Sequence, residues 1–93
     1  MIPESTKKFI DSLIDYYISE AGSYKQIAKT YHEEVDDVSA NTFGIIVGCV
    51  YSGFLQAYQN QKQNPSLEDT QEFTQMIKLR AAQIKRSILD AKV

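Results

Sequence analysis

Residues 38–61 read VSANTFGIIVGCVYSGFLQAYQNQ, twenty-four consecutive positions without a charged side chain, and the periodicity within them decides the fold. Ala40, Gly44, Gly48 and Ser52 recur every fourth residue, which on a helix lines up small side chains along one side. Phe43, Val47, Val50, Tyr51, Phe54, Leu55 and Tyr58 fill the other sides at spacings of three and four, so the period is helical rather than stranded. A helix apolar nearly all round is expected at the centre of a bundle. Gly44, Gly48 and Gly53 each cost about 1 kcal/mol relative to alanine in a helix interior, and close approach of another backbone is the gain that offsets it. The row Ala40, Gly44, Gly48 and Ser52 is therefore the candidate helix–helix contact, within one chain or between two.

The same small-residue spacing dimerises helices in membranes. A spanning helix needs about 20 predominantly apolar residues. Here the strongly apolar run is only Phe43 to Leu55, interrupted by Gly and Ser and flanked by Asn41 and by Gln56, Gln59, Asn60 and Gln61. A helix of a soluble bundle, with no membrane span, is the expectation.

Outward from this stretch, punctuation divides the chain. Pro3 and Ser5 or Thr6 open a first helix near 5–21, with Phe9, Ile10, Leu13, Ile14, Tyr17, Ile18 and Ala21 on one stripe and Gly22 as its left-handed stop. Ser23 and Gln26 have capping-box spacing and predict a second helix near 24–34, with Tyr24, Ile27, Ala28, Tyr31 and Val35 turned inward. Glu33, Glu34, Asp36 and Asp37 crowd into five positions. Negative charge favours a helix N-terminus, so Asp36 and Asp37 open the third helix, near 38–63, with Asp37, Ser39 or Asn41 as its cap. Pro65 stops it. Ser66 with an acid three residues on opens a fourth near 67–91, whose stripe is Phe73, Met76, Ile77, Ala81, Ile84 and Ile88. Leu67, Leu79 and Leu89 lie off that stripe and hint at a second contact.

Ninety-three residues make one domain, 1–93, which buries roughly 60–65% of its unfolded surface. The expected fold is all-α: a small antiparallel four-helix bundle with the apolar third helix at its centre. Hydrophobic content of 43% with six Tyr and four Phe argues against disorder. The single Cys49 sits in the most apolar stretch, as a small buried hydrophobe would, and this together with the lack of a secretory apolar segment after Met1 points to the cytoplasm.

Chemistry-bearing patterns are sparse. Tyr24 to Lys29 resembles the first helix of a helix-turn-helix, but the acidic run fills the turn and the following helix offers no polar reading face. His32 beside Glu33, Glu34, Asp36 and Asp37 is better read as a solvated acidic turn than as a metal site, which needs three ligands in defined geometry. With one His, one Cys and no phosphate-binding loop, neither catalysis nor a cofactor is expected. Lys78, Arg80, Lys85, Arg86 and Lys92 form a basic surface on the fourth helix. A net charge of −2 supplies no global field for nucleic acid, so only that local patch would serve. The function expected is a small cytoplasmic interaction or assembly module, homodimeric or bound to a protein partner. The alternatives are a regulatory nucleic-acid-binding protein using the basic end of the fourth helix, and an inhibitor-type protein with one target.

Overall fold

Two of the four helices begin where a side chain accepts from a first-turn amide. In the computed structural model, which describes residues 1–93, four α-helices follow one another: α1 Glu4–Ser19, α2 Ala21–Thr30, α3 Val38–Gln59 and α4 Leu67–Asp90. Asp37 caps α3, its carboxylate accepting from the amide of Ala40 at 3.0 Å. Ser66 and Asp69 form a reciprocal capping box at α4, at 3.0 and 3.3 Å. Pro3 supplies only its carbonyl to α1, which accepts from Lys7 N–H at 2.9 Å.

Three boundaries differ from expectation, each for a local reason. Gly22 does not stop α1. Glu20 makes the joint instead, at φ −106° and ψ 18°, so the chain turns without a left-handed residue and Gly22 falls inside the first turn of α2, which dispenses with a Ser23 cap. The second helix ends at Thr30 rather than near 34, and residues 31–35 form turns in which Val35 N–H donates to the Tyr31 carbonyl at 2.8 Å. A continued helix would have carried Glu33 and Glu34 at its negative end. The third ends at Gln59 rather than 63, because Lys62 takes φ 56° and Gln63 N–H closes back on the Tyr58 carbonyl at 3.0 Å, before Pro65 is reached.

All helix pairs touch, and each of the other three helices makes its largest contact with α3. Phe43 lies beside Lys85 while Phe54 stacks on Phe73 with ring centres 4.6 Å apart, so α3 and α4 run antiparallel. Extents of 38 × 23 × 19 Å match a bundle as long as α4, whose 24 residues span about 36 Å. The core takes Ile10 and Ile14 from α1, Ala21 and Ala28 from α2, Ile46, Val50 and Phe54 from α3, and Phe73, Ile77, Ile84 and Ile88 from α4. Phe9, Ile27, Tyr31 and Val35, expected inward, remain exposed.

Two side chains from α2 finish α4. Lys25 donates from Nζ to the carbonyls of Ile88 and Ala91 at 2.8 and 2.9 Å, and Lys29 reaches the Val93 carbonyl. A cation on the last carbonyls satisfies acceptors that no intrahelical amide can reach and meets the negative end of the dipole.

Candidate functional site: the open face of α3

The buried residues of α3 are Thr42, Ile46, Val50, Phe54 and Tyr58, every fourth position. The small row Ala40, Gly44, Gly48 and Ser52 is offset from them by two residues. On a helix two residues are about 200°, so the row lies on the opposite side. All four of its members are exposed. A side-chain carbon added at Gly44 or Gly48 would meet nothing within 4 Å. Gly44 and Gly48 therefore pack against no part of their own chain.

The glycine that permits close approach inside the molecule is Gly53, outside the row. A Cβ there would overlap Cδ1 of Leu13 on α1. Sequence spacing grouped the three glycines by cost but could not say which of them faces a neighbour. The signal available was phase: Gly53 falls between Val50 and Phe54 on the heavily apolar side, whereas Gly44 and Gly48 fall opposite.

One edge of the open face is bounded by α4. Between the two helices lies a groove of about 470 Å³ lined by Asp37, Ser39, Ala40, Phe43, Lys85, Ile88 and Leu89. Its floor is apolar. Lys85 Nζ stands 5.9 Å from the centre of the Phe43 ring, within range of a cation–π attraction. Leu89 is 65% exposed on its rim, and Leu67 and Leu79 are exposed further along α4, so none of the three off-stripe leucines is covered by this chain.

The basic surface breaks up. Arg80 turns towards α1, where Nη1 lies 3.6 Å from Asp11 and Nη2 pairs with Asp15, so it is not an outward-facing cation as expected. Arg86 pairs with Asp90 at 3.9 Å. Lys78, Lys85 and Lys92, seven residues apart, are exposed and form no ion pair. His32 sits in the exposed turn with Nδ1 3.1 Å from the Lys29 carbonyl oxygen. No three His, Cys, Asp or Glu side chains come together in metal-ligand geometry.

At the far end of α3, Tyr58 donates to Asp69 Oδ2 at 3.0 Å and ties α3 to the capping box of α4. Burial, then the hydrogen bond to Asp69 and its charge, pushes the Tyr58 hydroxyl up to about 12. Glu72 accepts from the Ile2 amide at 2.8 Å and pairs with Lys7 at 2.7 Å, and these, the amide first, hold its carboxyl below its ordinary value. These contacts secure the bundle and leave the α3 face untouched.

By length and composition α3 would also pass for a membrane-crossing helix, and only 22% of its most apolar window is buried within the bundle. What it presents is a smooth, uncharged strip with two exposed glycines. Comparison with known protein families, characterised proteins and solved structures finds no match.

Proposed function

We propose that the protein is a small cytoplasmic assembly module that acts by binding rather than by catalysis, and that it homodimerises through the open face of α3. The observation that carries this reading is that Gly44 and Gly48 face nothing within 4 Å on a helix of 22 residues without a charge. Two glycines in a helix interior cost about 2 kcal/mol together relative to alanine, and nothing inside the bundle offsets that. A partner packed onto the row does, because absent Cβ atoms let a second backbone approach closely and gain dispersion contacts along several turns. The groove beside Phe43 and Leu89 extends the same apolar surface.

A span through a bilayer fits less well. Ile46, Val50 and Phe54 pack against three amphipathic helices whose outer faces are charged, which is the arrangement of a water-soluble bundle. Nucleic-acid binding by α4 loses Arg80 to Asp11 and Asp15.

Sedimentation equilibrium over a wide concentration range tests the proposal. A reversible dimer is expected, and Gly48→Leu should abolish it while the helical content stays intact. A monomer at every concentration, or a dimer indifferent to Gly48→Leu, would overturn the reading.

A further inference from the structure

We infer that the occupant of the α3 face is a second copy of this chain with its α3 running in the same direction, so that the lysine edge of one copy's α4 meets the acidic turn before the other copy's α3. This rests on the assembly reading above.

Area makes the first step. The 22 residues of α3 form a strip about 33 Å long and about 10 Å wide, roughly 330 Å², whereas a stable partner covers about 800 Å² on each side. The strip alone is too small, and its flanks must take part. At the N-terminal end of α3 those flanks carry opposite charge. Along the Phe43 and Phe54 side runs α4, with Lys78, Lys85 and Lys92 exposed and outside every ion pair. The other side, where Gly53 meets Leu13 and Cys49 lies beside Tyr17 and Tyr24, belongs to α1 and α2. From α2 the chain enters α3 through the turn bearing Glu33, Glu34 and Asp36, all exposed and likewise outside every ion pair.

Direction follows from the charges. A two-fold axis parallel to α3 keeps the two N-terminal ends together and exchanges the edges. Lys85 and Lys92 of each copy then fall against the Glu33, Glu34 and Asp36 turn of the other, twice, while Leu89 and the groove beside it are covered at the same end. Reversed pairing carries each acidic turn to the far end of the partner's α3, about 33 Å from those lysines. The row serves the same-direction pair equally well, since Gly44 and Gly48 then oppose their own equivalents across the two-fold axis.

Two experiments in a Cys49→Ala background decide. Ser52→Cys alone should give a covalent dimer on oxidation or with a short bismaleimide, because position 52 opposes itself. In reversed pairing it would oppose Ala40 and lie about 18 Å along the axis from its equivalent. Charge reversal by Lys85→Glu with Lys92→Glu should weaken dimerisation roughly tenfold at low salt, as should Glu33→Lys with Glu34→Lys. The four changes together should restore it. A dimer that cross-links only when Ala40→Cys and Ser52→Cys chains are mixed, or one in which the combined variant shows no rescue, would overturn the same-direction pairing and leave the assembly reading standing. A monomer at all concentrations would overturn the assembly reading itself.

Discussion

Lys25 Nζ lies 2.8 Å from the carbonyl oxygen of Ile88, so a side chain of the shortest helix closes the last turn of the longest. The ammonium also binds the Ala91 carbonyl at 2.9 Å. Charge-assisted bonds exceed the ordinary net value, and Lys25 is half-buried where water competes poorly. Lys25→Met keeps the aliphatic stem and removes the donors. It should cost about 1–2 kcal/mol in denaturant unfolding. Amide exchange should quicken most at residues 88–91, and uniform acceleration along α4 would count against a terminal clamp.

Gly44→Ala and Gly48→Ala separate folding from association. Each adds a methyl that touches nothing in the chain and gains about 1 kcal/mol of helix propensity, worth about 4–8 °C in Tm for a domain this size when measured on the monomer. The same methyl should weaken the dimer. Gly53→Ala gains the same propensity but must displace Leu13, so its net effect on stability should be near zero or unfavourable. Equal stabilisation at all three positions would contradict the placement of Gly53 against α1.

Lys62 holds φ 56°, a left-handed conformation that a side chain makes costly and glycine does not. Lys62→Gly should stabilise the protein by roughly 1 kcal/mol in chemical denaturation, whereas Lys62→Val at the same place should destabilise it.

Two of the shifted groups act on pH stability with opposite signs. The Glu72 carboxyl is held below its ordinary value of 4.5 by the Ile2 amide and then Lys7, so its contribution is complete above that pH and is lost as pH falls through the depressed value. The Tyr58 hydroxyl is raised from 10.0 to about 12, so its contribution is complete below pH 10 and is lost as pH climbs towards 12. Glu72→Gln should flatten part of the acid limb of the stability profile, and Tyr58→Phe should flatten the alkaline limb while also releasing the Asp69 carboxyl that its hydroxyl helps to hold down. A Tyr58→Phe profile still falling as steeply between pH 10 and 12 would assign that limb elsewhere.

The four helices were legible because periodicity and caps agree: Asp37 and Ser66 sit where an orphaned amide needs an acceptor, and the stripes of α1 and α4 recur at helical spacing. Helix ends were less so. Gly22 and Pro65 are strong punctuation, yet Glu20 and Lys62 made the turns first, at backbone angles no sequence rule assigns to them. The small row was visible as a pattern, but its outward aim depends on where α1 and α2 come to rest. Arg80 was misplaced for a similar reason. Whether an arginine at a stripe's edge faces water or a neighbour's carboxylates depends on Asp11 and Asp15, which lie some seventy residues away in sequence and beside it in space. The Lys25 clamp left no sequence trace, because it joins two segments that only the fold brings together.

Helix α3 carries two four-residue registers in antiphase, Thr42 to Tyr58 inside and Ala40 to Ser52 outside. Inserting two residues ahead of Ala40 while the cap at Asp37 stays fixed would rotate everything that follows by about 200°. Glycine would then line the interior and isoleucine, valine and phenylalanine would face water. Single substitutions along α3 should therefore show an alternating sensitivity, with loss of fold at one set of positions and loss of partner at the set two steps away. A frame slip of two would confer both defects at once.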